Sequence, residues 1–204
     1  MIEIKSISFS RPTQRIFDNF SATISPNCAT LLTGANGCGK STLLNLIGGV
    51  LTPDSGSITI NGIAVSTLTA REQSKVRSIA PQRRIFDLAF TVNQLLSIIH
   101  VARRAIHHSE VFDALEIAEI AELKVTELSL GQQQRASLAL ALIQEASFYL
   151  LDEPFSAQDS LHQERALELI LALAKERGIL VVAHNSDSFA ARFGRVFPIR
   201  TVVR

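Results

Sequence analysis

The stretch from Ala29 to Thr42 constrains this chain more than any other. Ala29-Thr30-Leu31-Leu32-Thr33 is a compact apolar run of strand length that leads straight into Gly34-Ala35-Asn36-Gly37-Cys38-Gly39-Lys40-Ser41-Thr42. Beyond it, Leu43, Leu44, Leu46 and Ile47 recur at helical spacing between Ser41 and Val50. Strand, glycine-rich loop and helix in that order are the setting of a phosphate loop, and Gly34-x4-Gly39-Lys40-Ser41 fits its pattern. The glycines let the backbone turn and bring its N–H groups within reach of phosphate oxygens. The helix start adds unsatisfied N–H groups and a partial charge of about +0.5. Lys40 is placed to bridge β- and γ-phosphates, and the Ser41 hydroxyl to coordinate magnesium.

The elements around this unit define an α/β chain. Ile2 to Ser10 and Ile16 to Ile24 alternate as two strands about the turn-prone Arg11-Pro12-Thr13, which predicts an antiparallel β edge. Ser57 to Ile60 continues it, and Asn61-Gly62 is a strong hairpin signal. A helical stretch from about Phe90 to Ala121 carries Val92, Leu95, Leu96, Ile99, Val111, Ala114, Leu115 and Ala118. Helix and strand then alternate: Gln132 to Gln144 and Leu161 to Glu176 are helical, while Phe148 to Leu151, Ile179 to Ala183 and Val196 to Ile199 are apolar strands. Continuous apolar strands between helices imply a mainly parallel core sheet covered on both faces.

At 204 residues the chain is expected to form one domain, 1–204. With 47% hydrophobic and 19% charged residues it should fold, and a net charge of +1 gives no field that draws in nucleic acid. Its start carries charges where a signal peptide is apolar, and no window reaches the roughly 18 apolar residues of a membrane span, so a cytoplasmic protein is expected. Cys28 and Cys38 show no metal-ligand spacing and read as reduced thiols.

A second constellation suits the first. Asp152-Glu153 follows the apolar strand Phe148 to Leu151, at the strand end where open α/β sheets place ligand groups. Asp152 is the natural partner for the magnesium shell. Glu153 is suited to orient or deprotonate an attacking water.

Leu128-Ser129-Leu130-Gly131-Gln132 lies between these two motifs, and with it the chain resembles the nucleotide-binding subunit of ABC transporters. Gln82 in Ala80-Pro81-Gln82, the segment Ser156-Ala157-Gln158-Asp159 and His184 after its apolar strand match by residue and order. The resemblance implies a P-loop NTPase of ABC type, with a helical subdomain at approximately 83–128 and the signature at 128–132. It implies ATP and Mg2+ as ligands, bound by Gly34 to Thr42 (Gly34, Ala35, Asn36, Gly37, Cys38, Gly39, Lys40, Ser41, Thr42), with Ser41, Gln82 and Asp152 at the metal. Glu153, His184 and Gln82 take the catalytic positions. Ser129, Gly131 and Gln132 would face the ATP of a second, identical copy, and transmembrane permease subunits would hold the pair on the inner face of the cell membrane.

Several positions depart from the family's pattern. Leu130 stands where glycine is usual, and Arg11 where an aromatic ring usually stacks on adenine, although a guanidinium plane also stacks on bases. Leu140 replaces a basic residue, Gln158 a leucine, and Cys38 is unusual within the loop. Pro81-Gln82-Arg83, Phe90-Thr91-Val92 and Leu128 to Arg135 look like subunits of metal-ion and metal-chelate importers. Three other readings stay open: a haem or other exporter subunit, a soluble ABC ATPase of DNA repair or translation, and a regulatory protein that binds ATP but hydrolyses it poorly.

Overall fold

The computed structural model describes residues 1–82, 90–102, 108–183 and 189–199. Two sheets share the work. The parallel sheet contains β3 (Ala29–Thr33), β6 (Arg77–Ala80), β7 (Phe148–Asp152), β8 (Gly178–Val182) and β9 (Arg195–Pro198), in the spatial order β6-β7-β8-β3-β9. Every pairing in it is parallel. The antiparallel strands β1 (Ile2–Arg11), β2 (Gln14–Ile24), β4 (Ser55–Ile60) and β5 (Ile63–Ala64) form their own sheet, ordered β2-β1-β4-β5. They supply the antiparallel part expected from the sequence, as a separate sheet packed on one face of the parallel one.

Strand alternation assigns each face its cover. Leu32, Phe148, Leu150, Leu180 and Val182 point to one side, where they pack with Leu43, Leu44 and Ile47 of α1 (Lys40–Ile47) and with Ile2, Ile4 and Ile24 of the antiparallel sheet. Leu31, Tyr149, Leu151, Ile179 and Val181 point to the other. There they meet α5 (Leu130–Leu142) and α6 (Ser160–Leu173), through Leu138, Leu142, Leu167 and Ile170. The Tyr149 hydroxyl donates to the Gln144 carbonyl at 2.9 Å, and burial pushes its pKa up to about 12.

The helical stretch contains α3 (Val92–Ala102) and α4 (His108–Ala114), followed by a 3-10 turn at Ile117–Glu119. Val92, Leu96, Val111, Leu115 and Ile120 join the core on the α5 side. The start of α3 is tied to the segment that leads into α5, since the Val125 N–H donates to the Phe90 carbonyl at 3.0 Å and the Val92 N–H to the Leu123 carbonyl at 3.1 Å.

Boundaries moved by a few residues. The first helix ends at Ile47 where the spacing had carried it to Val50, and α5 begins at Leu130, two residues before Gln132. Residues 70–80 are assigned no element from the sequence, yet they form α2 (Ala70–Val76) and β6. A capping box starts α2: the Thr69 hydroxyl accepts from the Glu72 N–H at 3.3 Å, and the Glu72 carboxylate accepts from the Thr69 N–H at 2.8 Å. Strand β6 has only Ile79 as a large apolar side chain, so neighbours rather than hydrophobicity make it a strand. Its pairing of Ala80 with Leu151 delivers Gln82 beside the end of β7.

Leu180 is fully buried at the centre of this sheet. Leu180→Ala should lower stability by about 2–5 kcal/mol, read as a lower urea midpoint at unchanged slope.

Candidate active site

The loop between β3 and α1 is shaped by backbone that only glycine accepts easily. Gly39, the residue before α1, has φ 103°. A Cβ there would lie 2.5 Å from the Ile16 side chain, so both conformation and space favour glycine. The Cys38 N–H donates to the Ala35 carbonyl at 3.2 Å, and the Cys38 thiol is buried against Gly34. Cysteine is tolerated here because its side chain turns inward while its backbone follows the loop.

Lys40, Ser41 and Thr42 form the first turn of α1, which has no side-chain cap at its N-terminus. Lys40 is only 6% exposed, and its ammonium donates to the carbonyls of Gly34 at 2.8 Å and Ala35 at 3.0 Å. A buried ammonium needs such acceptors, and these hold it across the loop it serves. The Ser41 hydroxyl donates to Asp152 Oδ1 at 3.1 Å, joining the loop to the end of β7. Both are hard oxygen donors and Asp152 is buried, which is donor chemistry that suits magnesium.

Glu153 comes next and is held in an unusual conformation, φ 53°. Left-handed backbone at a non-glycine residue costs on the order of 1–3 kcal/mol and persists only where surroundings fix it. Here its N–H donates to the Val182 carbonyl at 2.8 Å. Its carbonyl accepts from the Ser156 N–H at 3.1 Å, the Ser156 hydroxyl at 3.0 Å and the Gln134 side-chain amide at 2.9 Å. At roughly 1 kcal/mol each, these bonds suffice to hold the strained turn. Gln134 was not singled out from sequence; its signal was the run of three glutamines, 132–134, of which the third lies on the buried face of α5.

A cleft of about 400 Å³ brings Asn36, Gly37, Gly39, Lys40, Ser41 and Thr42 together with Gln82 and Glu153. Arg11 and Gln14 from the β1–β2 hairpin line it too, with Ile16, and Arg11 Nη2 donates to the Thr42 hydroxyl at 3.3 Å. Gln14 and Ile16 were not anticipated either. His184 lies outside the described residues.

Ser129, Gly131 and Gln132 line a different cleft with Leu130, Arg135, Gln158, Asp159 and His162, and among the described residues no side chain lines both. Ser129 caps α5 in a reciprocal box: its hydroxyl accepts from the Gln132 N–H at 3.3 Å, and its own N–H donates to Gln132 Oε1 at 2.9 Å. The Gln132 side chain is thus occupied in shaping the helix start. Leu130 is 59% exposed beside it. Asp159 caps α6, accepting from the His162 N–H at 2.9 Å. That bond and the contact with the His162 ring hold its carboxyl below the usual range, so the cap persists through neutral pH and weakens only as acid titrates it. His162 Nε2 lies 2.9 Å from Glu116, which also pairs with Arg135 at 3.2 Å and with Arg165, tying α5 to α6.

Residues 17–156 match the family model described as ABC transporter. The chain is 32% identical over 200 residues to a hemin import ATP-binding protein of Rhizobium meliloti (strain 1021), covering 91% of this chain and 76% of that protein. It is 35% identical over 192 residues to a taurine import ATP-binding protein of Pseudomonas aeruginosa (strain UCBPP-PA14), covering 91% and 72%. A bacterial ABC transporter cassette solved as a dimer has the same fold, with a TM-score of 0.83 at 25% identity over 98% of this chain and 94% of that one.

Gly131 offers a test in which two effects oppose. Alanine is favoured over glycine in a helix by about 1 kcal/mol. A Cβ at 131 would, however, lie 2.6 Å from the Ala157 carbonyl oxygen, a backbone atom with little room to move. Overpacking of about 1–3 kcal/mol should win, so Gly131→Ala is expected to lower the melting temperature.

Proposed function

The chain belongs to the ABC transporter family, and we propose that it forms one half of an ATP sandwich, with its phosphate loop facing residues 128–132 of a second copy. It is an ATP-binding, ATP-hydrolysing subunit that couples that energy to transport. The observation that carries the residue assignment is the convergence of Lys40, Ser41, Gln82 and Glu153 on one cleft.

In this proposal the loop N–H groups and Lys40 hold the triphosphate, with the first turn of α1 adding its positive end. Ser41, Asp152 and Gln82 would hold magnesium, which when bound neutralises phosphate charge. Glu153 takes the proton of the attacking water, and its fixed backbone keeps the carboxylate aimed at the cleft. His184 is assigned to the γ-phosphate and that water. Ser129 and Gly131 present the start of α5 to the phosphate of the other copy, and the capping box with Gln132 orders that start beforehand.

Residues 1–204 act as one ATPase domain in this reading, with the helical stretch of approximately 83–128 as the part that docks on the membrane subunits. Among the described residues no helix is long and apolar enough to cross a membrane, which supports peripheral attachment through a permease. A metal chelate is the cargo class favoured by the similarity to the hemin import protein. Identification of the membrane protein that co-purifies with this chain tests the cargo.

Glu153→Gln should keep ATP binding while lowering turnover by on the order of 10²–10⁴, the usual worth of a positioned base. Turnover near that of the unmodified chain would remove Glu153 from the role. Lys40→Ala should abolish ATP binding in equilibrium titration, since it removes the buried cation of the loop; unchanged affinity would refute the phosphate assignment.

A further inference from the structure

We infer that Arg11 is a ligand of the phosphates rather than a platform for the base, and that the site accepts nucleoside triphosphates with little regard to which base they carry. The inference rests on the reading of this cleft as a triphosphate site.

The hairpin fixes where Arg11 lies. Arg11 pairs with Gln14 across the two-residue turn Pro12-Thr13, and both side chains line the cleft. The guanidinium donates through Nη2 to the hydroxyl of Thr42. Thr42 belongs to the first turn of α1, beside Lys40 and Ser41, whose N–H groups are the natural ligands of an anion. The cation is therefore held at the phosphate end of the cleft. A planar guanidinium with several N–H donors matches phosphate oxygens geometrically, and it adds a second positive charge to that of Lys40.

Among the described residues, the rest of the cleft lining offers little to select a base. Among the described residues that line the cleft there is no aromatic ring, and the apolar side chain is Ile16. Gln14 contributes a side-chain amide with both donor and acceptor. By rotating, it satisfies the amino edge of adenine and the keto edge of guanine alike. Affinity is then concentrated in the triphosphate, and base identity contributes little.

The test compares three probes in the presence of magnesium: AMP-PNP, GMP-PNP and inorganic tripolyphosphate, titrated against the unmodified chain and Arg11 variants. The two nucleotide analogues should bind within about threefold of each other, a difference below 1 kcal/mol. Arg11→Ala should weaken all three probes by on the order of tenfold, tripolyphosphate included, as loss of a charge-assisted hydrogen bond requires. Arg11→Lys should retain most of the tripolyphosphate affinity, and unchanged circular dichroism confirms that the exposed hairpin tolerates both changes. If Arg11→Ala weakens the nucleotide analogues but leaves tripolyphosphate untouched, the guanidinium stacks on the base and the proposal fails. A preference for AMP-PNP over GMP-PNP of more than about tenfold, 1.4 kcal/mol of discrimination, also overturns it. Failure of the unmodified chain to bind any of the three would instead remove the triphosphate site itself.

Discussion

The cleft exists because β3, β7 and β8 are buried on both faces and so are held side by side in strict register. Leu32, Leu150 and Leu180 lie under α1 and the antiparallel sheet, while Leu31, Leu151 and Val181 lie under α5 and α6. A slip of one residue in any strand would exchange its two faces, so the register is strongly specified. The strand ends are fixed as a consequence: Thr33 opens the phosphate loop, Asp152 reaches Ser41, and Val182 anchors the backbone of Glu153. Chemistry at the cleft is built on atoms that the apolar core has already aligned.

Around this frame the structure uses polar side chains to order segments that regular hydrogen bonding leaves free. Asp159 and the reciprocal pair of Ser129 with Gln132 start α6 and α5, which between them border the second cleft. Gln134, one residue inside the buried face of α5, holds the carbonyl of Glu153. The helix that faces outward through Leu130 is thus bonded to the residue assigned to the water. Glu116 adds a charged link between the same helix and α6 through Arg135 and His162.

Much of this was legible in the residues, for reasons that differ from place to place. The phosphate loop and the Asn61-Gly62 turn were clear because each requires positive φ that few residues adopt, and the structure has φ 51° and 81° at the turn. Strands β3, β7 and β8 were clear because two-sided burial makes them short, mostly apolar runs without alternation. The pair α2 and β6 was missed: β6 is stabilised by pairing with β7, an interaction between residues far apart in sequence, and the Thr69-x-x-Glu72 box that announces α2 was not weighed. The hold of Gln134 on Glu153 and the reach of Arg11 to Thr42 were also hidden, because each joins residues that only the fold brings together.

The approach of Gly131 to Ala157 has a mechanical meaning when combined with the Gln134 bond. A Cβ at 131 would meet the Ala157 carbonyl oxygen at 2.6 Å, so glycine is what lets the two segments come this close. The hydrogen bond from Gln134 to Glu153 resists separation, three residues further along the same helix. Close approach and tether together join the start of α5 to the turn that carries Glu153.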